Sequence, residues 1–392
     1  MLSVPTLVSL FLLAVPNAVL ATPCVTFDAD FNLLAFGFND KDWNAGQQDS
    51  WTSGSATDIT ASGRPPFDGT ETTCYLAQFF NAVYFINADK SNPSDVHIYN
   101  AGSKTWSTQS VKANNFDVES YNAILDHDTN VFYALSHNEL YFLDMGELKE
   151  ADSTQRSWED VQKVPYPDDY KPVMALAQNH VHFINVPGVE SGSADIFVIH
   201  FSFFQPQAQA YPLPDGSAFP SSHGQATSFF QAEGVQQEFA FIPEDGSNTY
   251  VINVETNTTK TLAGPTAKDA NAKYAAGITA LVQLDSTGAV SYIPYKQGDD
   301  DANSKAAWAS VAKLASAAPA QSSAGSGTSG SASVSSTGSS NGARSTAPAG
   351  TRQTTSSGNS SSGSSDQNGA LANTISVGAV VSAAMALFAF LQ

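Results

Sequence analysis

The chain has 392 residues, with 37 acidic and 17 basic side chains, a formal net charge of −20 and two cysteines. So large a surplus of carboxylates speaks against nucleic acid and anionic membrane surfaces, which select Lys and Arg. Once paired, two cysteines supply no thiolate nucleophile, no zinc–thiolate centre and no free thiol for a galactose-oxidase-like copper site.

At the amino terminus, Leu7 to Val15 is an apolar run broken only by Ser9. It suits the core of a secretory signal and is too short to span a bilayer. Val19-Leu20-Ala21 follows it where a signal peptidase reads, so residues 1–21 are expected to be removed by cleavage before Thr22. No Lys or Arg precedes the run, which leaves the amino terminus as its positive charge.

Residues 23–315 carry the β-branched and aromatic content of a folded, strand-rich domain. An apolar residue, any residue, then an aromatic recurs through it, as Leu34-Ala35-Phe36, Val83-Tyr84-Phe85, Val131-Phe132-Tyr133, Val181-His182-Phe183, Phe239-Ala240-Phe241 and Val290-Ser291-Tyr292. The aromatic centres are roughly fifty residues apart, the period of a propeller blade. Most follow another apolar strand, such as Tyr75 to Phe79, Asn122 to Leu125, Val173 to Ala177 and Ile278 to Leu284. Third strands read at Val96 to Tyr99, Leu140 to Leu143, Ile196 to Ile199 and Tyr250 to Val254, and fourth strands at Trp106, Trp158 and Trp308. The expectation is an all-β fold, a six-bladed β-propeller, with five or seven blades as the alternatives. Repeat six shows no clear third strand between Gly298 and Ala306, and repeat one is interrupted by a long Trp43–Pro66 segment. Cys24 and Cys74 open the first strands of repeats one and two, so one disulfide between adjacent blades is expected.

Residues 316–368 are dominated by Ser, Thr, Gly and Ala, a composition that predicts a disordered, O-glycosylated stalk. Asn257 and Asn359 open N-glycosylation acceptors, the first in an expected hairpin turn. Asn368-Gly369-Ala370, a short spacer and the apolar run Ile375 to Leu391 make up a GPI-anchor signal, with Asn368 the chosen attachment residue, Ser364 and Ser365 the alternatives, and residues 369–392 removed on maturation. The competing transmembrane reading is poorer. At about 1.5 Å per residue the run reaches roughly 25 Å, short of roughly 30 Å of hydrocarbon, and no Lys or Arg follows it.

Catalytic patterns are scarce. No Gly-x-Ser-x-Gly elbow, His-Glu-x-x-His pair or phosphate loop occurs outside the low-complexity stalk. Asp126, Asp128 and Asn130 have the spacing that opens a calcium loop, but His137 stands where its bidentate Glu belongs, so a hairpin turn is expected. Asp299-Asp300-Asp301 reads as a solvated loop. His180 and His182 alternate onto one strand face with no third ligand, and Asp28 and Asp30 are the one pair resembling glycosidase acids. No catalytic residue, metal or cofactor is assigned.

Val96-His97-Ile98-Tyr99-Asn100 followed by Lys104-Thr105-Trp106 resembles the second half of a kelch blade, although the paired glycines that open one are missing. The whole layout resembles the GPI-anchored cell-wall mannoproteins of basidiomycete fungi. That resemblance implies a non-enzymatic surface glycoprotein, anchored to membrane or wall, acting as a structural or ligand-binding platform. Its partners would be cell-wall polysaccharide or another surface protein. The alternative is a carbohydrate-active enzyme or lectin that binds wall glycans at the propeller channel.

Overall fold

The computed structural model describes residues 21–167 and 169–317. Residues 1–20 of the expected signal segment 1–21, the expected stalk beyond residue 317, Asn359, Asn368 and the apolar tail lie outside the described residues.

Six antiparallel sheets follow one another along the chain, each with its strands in sequence order. Blade one is Cys24–Phe27, Leu33–Phe38, Lys41–Gly46 and Thr57–Asp58. Blade two is Thr73–Ala77, Ala82–Ile86, Val96–Asn100 and Thr105–Gln109. Blade three is Asn122–Asp126, Val131–Ser136, Glu139–Asp144 and Glu159–Lys163. Blade four is Met174–Ala177, His180–Ile184, Ser193–Val198 and Phe203–Phe204, with Gln209–Ala210 pairing the other half of its third strand. Blade five is Gly224–Ser228, Glu238–Pro243, Asn248–Asn253 and Thr258–Ala263. Blade six is Lys273–Ala276, Ala280–Leu284, Val290–Pro294 and Ala309–Ser310. Each first strand contacts the first strand of the next blade, and that of blade six contacts that of blade one, so the ring closes around one axis. The protein is a six-bladed β-propeller.

Local chemistry sets the hairpins. Asn39-Asp40, His137-Asn138 and Gln178-Asn179 are two-residue connections in which both residues have positive φ. This is the turn whose twist matches that of the flanking strands. Packing sets the ring, because each seam between blades holds its own apolar cluster. Phe36, Phe67 and Phe85 fill the seam of blades one and two, and Phe27, Trp51 and Tyr292 that of blades one and six.

Closure uses no exchanged strand. Instead the chain after blade six lies across blade one. Lys313 N donates to Trp51 O (3.3 Å), Ala56 N to Lys313 O (3.2 Å) and Asn39 Nδ2 to Ala317 O (3.0 Å). Val311, Leu314 and Ala317 are buried in the same seam as Trp51. Cys24 and Cys74 are joined, with Cα atoms 6.2 Å apart, and they pair with Phe36 and Phe85 at equivalent register positions. In blade one the backbone bulges at Gly37 (φ +76°), whose N–H donates to the fully buried Asp42. Arg64 grips that carboxylate through two hydrogen bonds of 3.0 Å.

Blade six departs from the sequence reading. Val290-Ser291-Tyr292 lies on its third strand, and Ile278 sits in the turn after its first strand, Lys273–Ala276. The second strand, Ala280–Leu284, has no aromatic, so the motif slipped by one strand. The segment where a third strand was sought holds the short helix Asp300–Asn303. Trp158 and Trp308 immediately precede the fourth strands and do not lie on them.

Two stability predictions follow from this architecture. Replacing Cys24 and Cys74 together by Ser opens a loop with a sequence separation of 50 residues, and denaturant unfolding is expected to show a loss approaching ~4 kcal/mol. Arg64→Ala leaves Asp42 buried without its cation and is expected to lose roughly 3 kcal/mol in the same assay. A variant as stable as the parent would show that the Asp42–Arg64 pair does not hold the bulge.

Candidate functional site

The first strands leave an axial cavity of about 450 Å³, lined by residues from all six blades. Its two ends differ. Where the first strands finish, one loop of blade five fills the axis. Phe230 lies 5.7 Å from Phe31 of blade one and 5.4 Å from His127 of blade three, ring to ring. Gln236 Nε2 and His127 Nδ1 are 3.0 Å apart, and both side chains are buried. Phe79 stacks on the outer face of His127 at 5.7 Å. Burial holds the His127 imidazole below its ordinary pKa, against the pull of Asp128 and Asp126.

Where the first strands begin, the cavity meets solvent at a mouth formed by Glu71, Tyr121, Lys171, His223 and Lys273, with Glu244 beside them. The first five occupy one repeat position, just ahead of or at the start of the first strand in blades two to six, roughly fifty residues apart. Tyr121 OH and Thr73 Oγ1 are 2.7 Å apart, and His223 Nδ1 lies 2.7 Å from Glu244 Oε1. Lys273 reaches from blade six past blade one to donate to Thr72 O of blade two (2.6 Å). Burial pushes the Lys273 ammonium below the usual lysine range, while the charge of Glu71 pulls it back up. Burial also pushes the Tyr75 and Tyr274 phenols up to about 12 and Tyr121 well above its ordinary value, so all three stay protonated donors. Ammonium, phenol, amide and carboxylate groups around one opening can donate to and accept from a polyhydroxylated or charged small molecule.

The sequence candidates fall elsewhere. Asp28 is buried in a hairpin turn, accepting from the backbone N–H of Asp30 (3.0 Å) and of Asn32 (2.9 Å). Neither Asp28 nor Asp30 lines the cavity. Asp126 is fully buried at its own turn and accepts from Thr129 Oγ1 (2.6 Å), while Asn130 donates to Tyr84 OH (2.7 Å) and Gly146 O (2.6 Å). Asp299 caps the short helix through Ala302 N, and Asp300 pairs with Lys260 at 2.6 Å. His180 and His182 do share a strand face, but His182 is buried between Phe239 (5.6 Å) and Tyr211 (6.1 Å). Among the described residues no group of three or more His, Cys, Asp and Glu is placed to hold a metal ion. Asn257 is exposed at the hairpin turn between Asn248–Asn253 and Thr258–Ala263, with φ +52°.

No family model and no curated protein sequence matches the chain. Many solved chains are similar to it, three of them as follows. YjhT is 11% identical with a TM-score of 0.47, covering 74% of this chain and 97% of that one. PorZ, a bacterial surface component of the type-IX secretion system of Porphyromonas gingivalis, is 12% identical with a TM-score of 0.40, covering 74% of this chain and 33% of that one. A chain of the nidogen–laminin complex is 10% identical with a TM-score of 0.37, covering 61% and 79%. At these values nothing about the site carries over.

Burial pushes His182 down to about 3 from an ordinary value of 6.5. The unfolded chain therefore takes up the proton first. Neutral His182 contributes its full stability above about pH 6.5, and that contribution drains as pH falls toward 3, at roughly 1.4 kcal/mol per unit. Urea unfolding between pH 7 and 4 is expected to show a shallower pH dependence for His182→Leu than for the parent. Parallel profiles would refute the assignment.

Proposed function

We propose that this chain is a non-enzymatic, GPI-anchored surface glycoprotein of the cell wall, a kelch-like propeller displayed on a glycosylated stalk as a ligand-binding platform. The observation that carries the binding reading is the axial cavity, about 450 Å³, filled at one end by Phe230 and Gln236 and ringed at the other by mixed donors and acceptors. That volume lies within the roughly 300–1,000 Å³ typical of small-molecule sites. The kelch likeness is supported by the hairpin in which Tyr99 pairs with Trp106, ring centroids 5.1 Å apart. The anchored layout rests on the chain's two ends and its Ser/Thr-rich stretch.

A second reading, a carbohydrate-active enzyme working at the same mouth, draws on the His223–Glu244 pair, since a carboxylate that orients an imidazole is one part of a general base. A glycan array run beside a panel of chromogenic glycosides separates the two. Binding without turnover is the expected result. Turnover that disappears in Glu244→Gln would replace the platform with the enzyme. Phosphatidylinositol-specific phospholipase C is expected to release the protein from membranes. Membrane-bound material that retains the peptide 375–391 would overturn the anchor.

A further inference from the structure

The described residues contain eight ion pairs, and none of them includes Lys171 or Lys273. Of the fifteen described Lys and Arg side chains, Lys41, Arg64, Lys90, Arg156 and Lys260 pair with a carboxylate; of the ten that do not, eight are exposed, Lys171 among them, and Lys273 and Lys313 are half-buried. Lys171 and Lys273 are the two that line the axial cavity, and neither has a carboxylate within 4.0 Å. Lys273 is half-buried and makes one hydrogen bond, to Thr72 O, although an ammonium has three donors. Lys171 is exposed at the rim and makes none. The counter-charge acting on Lys273 is Glu71 at the same mouth, which pulls its pKa up from beyond 4.0 Å and makes no ion pair with it, so Lys273 keeps donors to spare for an anion. The mouth's imidazole, by contrast, already has its carboxylate in Glu244.

We infer that the ligand of this cavity carries a carboxylate, on a small polyhydroxylated molecule, held by Lys273 inside the mouth and by Lys171 at its rim. This rests on the binding-platform reading and narrows it. A phosphate fits less well. Lysine binds phosphate as a point charge, but this lining has neither the guanidinium fork nor a run of backbone N–H groups to satisfy a phosphate's further oxygens. Neutral hydroxyls on the same molecule find partners in Tyr121, Asn122 and Gln225 around the opening.

The test is calorimetric titration of the full chain, produced by secretion, with sodium glucuronate, glucose and glucose 6-phosphate. Glucuronate is expected to bind at least tenfold more tightly than glucose and more tightly than the phosphate. Lys171→Ala is expected to lower the ratio of glucuronate to glucose affinity at least threefold, and Lys273→Met to bring that ratio close to one. If Lys273→Met fails to fold because the bridge to Thr72 is lost, Lys171→Ala carries the test, since that side chain bonds to nothing in the fold. Equal affinity for glucuronate and glucose, or glucuronate binding indifferent to both variants, overturns the carboxylate assignment and leaves the platform reading standing. Preference for the phosphate also overturns it. No binding of these probes, together with an empty glycan array, overturns both.

Discussion

Each blade is a small sheet with two apolar faces, and a sheet of that size has no independent stability until those faces are covered. In a ring, both neighbours cover it. The apolar residues therefore gather at six seams, not in one central core, as with Phe36 and Phe85 in one seam and Tyr84 and Phe132 in the next. First strands held apart by their seams cannot meet across the axis. The hollow in which a ligand would sit is a by-product of the packing that stabilises the fold.

One seam is harder to form than the others. Blades one and six are far apart in sequence, so bringing them together carries the largest loop-closure entropy. Blade one has a weak outer edge, since its fourth strand has two residues, as in blades four and six, and its third gives way to a turn around Trp51. Three devices converge on it. The disulfide ties its first strand to blade two, the Asp42–Arg64 pair fixes its bulge, and the segment through Lys313 and Ala317 covers its outer turn. Only the last of these lies on the closing seam, while the other two stiffen the blade that must complete it.

This pattern explains what could be read from the sequence. The second strands of blades one to five each carry an aromatic packed into a seam, so the period was visible, and Cys24 and Cys74 stood out as repeat equivalents. Blade six was misread because Ala280–Leu284 has no aromatic and Tyr292 supplied a false centre one strand later. Its first strand, Lys273–Ala276, puts Lys and Tyr beside the cavity, unlike the apolar Met174–Ala177 of blade four. The mouth was not recognised at all. Glu71, Tyr121, Lys171, His223 and Lys273 share no chemistry, and no motif links them. Only the alignment of first strands shows that they hold one position in successive repeats. The proposed site lies where these five repeats share no single residue type, so no sequence motif marks it.

The two ends of the cavity also divide the electrostatics. The filled end is aromatic, while the mouth is charged, so a ligand enters from one side and meets Lys171 before Lys273. Outside, the net charge of −20 opposes the approach of any anion. That repulsion is long-range and is screened beyond about 8 Å at physiological ionic strength. A contact made inside the cavity is screened far less. For the anionic ligand proposed above, moderate salt therefore removes more of the opposition than of the attraction. This is the reverse of a basic protein on a polyanion, whose affinity collapses as salt rises. An acidic surface around a mouth of mixed charge opposes a large polyanion at each of its many distant charges, whereas the small ligand proposed above brings a single charge to Lys273.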